Sequence, residues 1–250
     1  KVSLQPRTAL KYEPGPNAQI TAAAGLHSRL EPLMQYFARV NPKAEAHALS
    51  LSNKNLGFSK AVHAVAGYKL QVNVEAYFQK LYMIPVDANS KNHFSILNSE
   101  YGFSNKSLTN KGTGKNYGIE LTVKRSLANH YYFRVNGSLY NSVYKGSDQI
   151  LRNTCYNGNY AANALFGKEF VINTKNRLAV NVRLNFAGGR RYTPIDEEAS
   201  RELGYAKYNE QEVFEEKASD YFRADLQIRY KINRKRITSH AGGFKMQPTG

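Results

Sequence analysis

The stretch RLAVNVRLNF, residues 177–186, alternates without a break. Leu178, Val180, Val182, Leu184 and Phe186 fall on one side of an extended chain. Arg177, Ala179, Asn181, Arg183 and Asn185 fall on the other. A side-chain period of two belongs to a β-strand with one apolar and one polar face. The pattern returns along the chain. Val2, Leu4 and Leu10 oppose Ser3, Gln5, Arg7 and Lys11, and Ile20, Ala22, Ala24 and Leu26 oppose Gln19, Thr21 and His27. It recurs more weakly near 61–70, then clearly at 71–79, 118–126, 131–144, 161–172 and 221–232. Strands of ~9–14 residues suit a tilted crossing of a bilayer. Soluble sheets more often use ~5–6. No stretch carries helical periodicity for more than a turn or two.

The connections alternate as well. Short ones fall at 13–17, 69–71, 127–130, 173–176 and 233–236, and long polar ones at 28–59, 85–115, 145–158 and 188–218. In an up-and-down sheet this puts every short turn at one end and every long loop at the other. That is the plan of outer-membrane barrels. The polar faces carry mid-strand arginines (Arg7, Arg134, Arg183, Arg223, Arg229), so that side is wet. On the apolar faces read here, Lys168 is the one cation.

Composition narrows the functional classes. Lysine and arginine number 35 against 19 acids, a net charge of +16. The basic residues are spread over strand after strand, which argues against a nucleic-acid partner. The acids gather at 196–220, where a solvated loop is the plain reading and a cation site the sharper one. A single cysteine, Cys155, makes no internal disulfide or thiolate cluster. The six histidines are too far apart for a close metal-binding spacing. KGTGKN, 111–116, lacks the full phosphate-loop spacing and is expected to be a flexible external loop. No catalytic residues, metal ligands or cofactor are assigned, and no enzymatic activity is expected.

Several phrases, GLHSRLEPLMQYFARV, VNVEAYFQKLYMIPVD, NYGIELTVKRSLANHYYFRVNGSLYNSVYKGSD, RNTCYNGNYAANALFGKEF, NFAGGRRYTPID and YFRADLQIRYKINRK, resemble the barrel of TonB-dependent outer-membrane receptors. The resemblance is to the Bacteroidetes group that carries a carboxypeptidase-regulatory-like domain before the plug. It implies an all-β, antiparallel, up-and-down transmembrane β-barrel, with about ten strands here out of the roughly 22 of the family. On this reading residues 1–236 form a partial barrel and 237–250 an irregular tail. The plug and the TonB-contacting segment are expected outside this chain. The implied activity is TonB-dependent uptake of a scarce nutrient of siderophore, cobalamin or glycan type, in the outer membrane of a Gram-negative bacterium. Implied partners are the TonB complex, acting through the plug, and outer-membrane lipid and lipopolysaccharide.

Within that frame Arg134, Asn181, Arg183, Arg223, Asp225 and Arg229 are candidate lumen-facing residues. Arg190 and Arg191, after the Gly188–Gly189 pair, are candidate external-loop contacts for an anionic ligand or lipopolysaccharide phosphate. Two other readings stay open. One is a soluble, basic β-sandwich that binds polyanions, and the other an outer-membrane adhesin.

Overall fold

A computed structural model describes residues 2–16, 18–40, 50–70, 72–99, 103–173, 176–232, 237–240 and 243–246. Its frame is a ten-stranded antiparallel sheet. Nine strands follow one another in chain order: β1 (Arg7–Gly15), β2 (Ala18–Arg29), β3 (Ser59–Lys69), β4 (Val72–Asp87), β5 (Leu108–Ala128), β6 (Tyr131–Lys145), β7 (Tyr160–Val171), β8 (Asn176–Ala187) and β9 (Tyr221–Ile232). The tenth, Leu151–Asn153, pairs with the end of β6. Among the described residues β1 and β9 form the two edges, and the sheet is not closed on itself.

Every β-hairpin between consecutive strands is antiparallel, and its register keeps like face with like. One rung can be followed across the sheet: Tyr12, Ile20, Tyr68, Val74, Leu121, Gly137, Ala162, Phe186 and Phe222. The neighbouring rung on the opposite face holds Asn73, Thr122, Asn136, Asn163, Asn185 and Arg223. The alternation read from RLAVNVRLNF is thus a property of the whole sheet.

Among the described residues nothing covers the apolar face. Leu139 and Leu226 are 69% and 67% exposed in mid-strand, and Phe222 and Ile228 are similar. A soluble sandwich would bury this face against a second sheet, and the frame here is a single sheet. The sandwich reading is therefore corrected. Nor does the packed core lie under the sheet. Among the described residues Ala38, Leu56, Ala61, Ile84, Val86, Ile96, Leu108, Tyr144, Cys155 and Val213 are buried and apolar, and all belong to the long loops or to strand ends that meet them.

Buried amides join these loops. Gln35 Nε2 donates to the Ser104 carbonyl at 2.9 Å, and its Oε1 accepts from the Ser104 amide at 2.7 Å. Asn53 serves the Lys106 carbonyl and the Leu108 amide in the same way, at 3.0 and 2.8 Å. Each amide replaces water for two loop backbone groups that burial would otherwise leave unpaired.

Two local expectations are corrected. KGTGKN is strand: residues 111–116 lie inside β5, paired with β4 and β6. A Cβ on Gly112 would sit 2.4 Å from Val86 Cγ1, so the glycine lets the bulged strands approach. In the expected irregular tail, Ile237–His240 and Gly243–Met246 pair as a short antiparallel ladder. The turn at 127–130 is confirmed in detail. Asn129 and His130 both take positive φ, 53° and 65°, as a two-residue hairpin turn of the primed type requires.

Candidate functional site

The polar face is where chemistry can occur, because its side chains are aligned by the register and remain wet. Arg134, Leu165, Arg183 and Asp225 stand on one rung, with Asn181 and Gln227 on the next. All six residues expected on the wet side occupy this face, opposite the apolar rungs.

Their contacts separate them. Asn181 is committed to the sheet: its Oδ1 accepts from Tyr132 Oη at 2.8 Å, and its Nδ2 donates to Gln227 Oε1 at 3.0 Å. The Tyr132 ring lies over Gly167, where an added Cβ would come within 2.2 Å of the ring. Arg223 grips Asp225 Oδ1 through Nε and Nη2, at 2.9 and 2.7 Å. Arg134 donates through Nε to Asn136 Oδ1 at 3.3 Å.

Arg191 works as a strap. Its Nε, Nη1 and Nη2 donate to the Asn157 carbonyl, the Glu215 carbonyl and Asn159 Oδ1, at 3.1, 2.9 and 3.4 Å. Arg190 lies over the Tyr156 ring, 4.9 Å from its centroid. Nearby, Asp220 accepts from the Gly189 amide at 3.2 Å, from Tyr160 Oη and from Lys217 Nζ. These bonds hold the Asp220 carboxyl below the usual range, the Tyr160 hydroxyl first among them.

Where β4–β6 rise into the loops, the polar face forms a cleft of about 420 Å³. Tyr77, Gln79, Asn116, Tyr140, Ser142 and Tyr156 are among its lining, and no ionised side chain is. A hydrogen-bonded relay runs across four strands. Thr154 Oγ1 donates to Ser142 Oγ (2.9 Å), Ser142 Oγ to Asn116 Oδ1 (2.7 Å), and Asn116 Nδ2 to Gln79 Oε1 (2.6 Å). Gln79 Nε2 then lies 2.6 Å from His63 Nε2, and the His63 ring is 4.5 Å from that of His27. Sequence reading missed this set. Each residue is an ordinary polar-face position, and only the register brings together residues 26 and 37 positions apart.

The acidic segment 196–220 is partly ordered. Asp196 caps the helix Glu197–Leu203 by accepting from the Ala199 amide at 3.0 Å, and Gly204, at φ 74°, ends it. Glu210 faces His93 at 3.8 Å, across two loops. Burial holds the His93 imidazole below its usual range, against the opposing pull of Glu210. Among the described residues no group of three histidine, cysteine or acidic side chains is placed to hold a metal.

A single meandering sheet with a bare apolar face, a wet polar face and long loops packed together at one end defines the wall of an outer-membrane-type β-barrel. Known proteins agree. The family model of the TonB-dependent receptor-like β-barrel matches residues 3–243, and the chain belongs to that family. It is a family of outer-membrane receptors and transporters of Gram-negative bacteria, not of enzymes. Among solved structures the chain is similar to the FrpB iron transporter from Neisseria meningitidis (F3-3 variant), with a TM-score of 0.57 and 13% identity over 92% of this chain. At that identity the likeness concerns the fold. The chain spans 32% of the length of that transporter. None of the curated proteins matches it.

Proposed function

We propose that this chain is the wall of a TonB-dependent transporter that takes a scarce nutrient across the outer membrane, driven through a plug outside the described chain. The observation that carries the reading is the cleft under the external loops. It is a water-facing site built into a sheet whose other face is bare and apolar. In this reading Arg134, Arg183, Arg223, Asp225 and Arg229 line the aqueous lumen, with Asn181 bracing the wall between them. Arg190 stands at the loop rim as a contact for an anionic group, and Arg191 chiefly holds the loops in place. Of siderophore, cobalamin and glycan ligands, the uncharged amide, hydroxyl and tyrosine lining favours the glycan type. Such groups match hydroxyls by hydrogen bonds and sugar faces by ring contact. Bacteroidetes origin fits the phrases quoted above. No chemical step is required of any residue.

The test is uptake by cells carrying the whole receptor, with and without TonB, fed in turn with ferric citrate, cobalamin and neutral maltooligosaccharides. TonB-dependent accumulation of one of them, lowered at least tenfold by Tyr140→Ala with Asn116→Ala, is expected. Accumulation of none, accumulation independent of TonB, or recovery of the chain in the soluble fraction would contradict the proposal.

A further inference from the structure

Beside the cleft the polar face has a second hollow, of about 330 Å³, where β2 and β3 meet the loops. It shares Gln79, Leu81 and Leu97 with the cleft, so the two run together. Gln79 also joins them by its bonds: its Oε1 accepts from Asn116 Nδ2, and its Nε2 lies 2.6 Å from His63 Nε2. From β2 to β6 the joint floor crosses four strand spacings of ~4.8 Å, about 19 Å in all. That length holds several sugar rings in a row.

The two halves differ in charge. No ionised side chain lines the cleft, whereas His27, Arg29, Lys60 and His63 line the hollow. The register explains the gathering. His63 stands opposite Gly25 on one side, and Arg7 stands opposite the same glycine on the other. A Cβ on Gly25 would sit 3.0 Å from Arg7 Cγ and 3.4 Å from His27 Nε2, so the glycine lets these side chains converge. The rings of His27 and His63 are 4.5 Å apart. The carboxylate beside them, Glu31, is buried and accepts from Ser59 Oγ, with Arg29 Nη2 3.8 Å from its other oxygen. The Arg29 side chain stays 74% exposed. Three fixed cations and two imidazoles thus meet a carboxylate that is already engaged. A positive hollow walled by protein concentrates anions.

We infer that this hollow is a subsite for an anionic substituent, a carboxylate or a sulfate, of a glycan whose uncharged rings lie in the cleft. The inference rests on the glycan reading of the cleft and narrows it to acidic glycans. Arg29 offers a planar fork of N–H donors to the oxyanion. Lys60 adds a point charge, and the imidazoles add further N–H donors. A free anion meets only the cations, whereas a ligand that carries neutral rings as well uses both halves.

The experiment measures binding of matched oligosaccharides to the detergent-purified whole receptor that carries this chain. Galacturonate, mannuronate and glucuronate oligosaccharides are set beside their methyl esters, and sulfated galactan oligosaccharides beside their desulfated forms. The variant carries Arg29→Gln with Lys60→Gln, and heat-modifiable migration on gels reports its folding. The expected result is that at least one acid binds at least tenfold more tightly than its neutral counterpart. The uronate and sulfate arms show which group is read. The double variant should lose that preference, and equimolar sodium sulfate should not displace the acid. No preference for any acid, the same preference in the double variant, or displacement by equimolar sulfate would overturn the inference. Neutral forms bound as tightly as the acids would leave the glycan reading standing, whereas binding of no oligosaccharide of either kind would remove that reading too. Should the double variant not fold, Arg29→Gln alone, expected to cut the preference at least threefold, decides.

Discussion

Single residues on this sheet are constrained by what lies across the strand. Gly167 is the sharpest case, because the Tyr132 ring occupies the space a side chain would need and its hydroxyl reaches Asn181. Gly167→Ala is expected to displace the ring and destabilise the folded state by about 1–3 kcal/mol, read as a lower temperature of heat-modifiable migration. Gly167→Ala combined with Tyr132→Phe should cost less than the sum of the two single changes, since both act on one contact. His93 gives a pH-dependent prediction. Burial lowers its folded pKa from an ordinary value of 6.5, so the unfolded chain takes up the proton first as pH falls. Its contribution to loop stability is therefore present above about 6.5 and is lost as pH falls below that value. Hydrogen-exchange protection factors at 88–99 and 205–215, corrected for the intrinsic rate at each pH, should fall between pH 7 and pH 5 in the parent. They should change less in His93→Gln. Protection factors that rise on acidification would contradict the sign.

At the scale of elements, the apolar and polar rungs make opposite predictions for adjacent residues. Val182 and Asn181 are neighbours in β8 but lie on opposite faces. Val182→Arg places a guanidinium on the apolar face near mid-strand, where the cost is about 2–4 kcal/mol. Outer-membrane yield should fall sharply. Asn181→Arg leaves the charge on the wet side and should retain most of the yield, losing only the Tyr132 and Gln227 contacts. Equal yields would contradict the two-faced wall. This level was the most legible in the sequence, because lipid on one side and water on the other force strict alternation, and β8 and β9 show it unbroken. KGTGKN was illegible for the same reason in reverse. That part of β5 stands beyond the apolar band, so no lipid demands apolar residues at alternate positions, and its glycines suggested a loop.

Over the whole molecule, the packed core belongs to the loops and the sheet is a thin wall. Buried amides such as Gln35 and Asn53 join loops far apart in the chain. Their pairings could not be read from the sequence, because an asparagine in a long polar loop looks the same whether it is solvated or buried. The cleft was invisible for a related cause: its chemistry depends on the register of four strands. The apolar face, by contrast, follows directly from composition and order along each strand, and the barrel reading stands on its meeting lipid. That claim is tested by nitroxide scanning from Leu178 to Asn185, one cysteine at a time, in a Cys155→Ser background reconstituted in bilayers. Accessibility to oxygen, which concentrates in lipid, is set against accessibility to a water-soluble nickel chelate. A period of two is expected, with positions 178, 180, 182 and 184 favouring oxygen and 179, 181, 183 and 185 favouring nickel. Uniform nickel accessibility at all eight positions would contradict it.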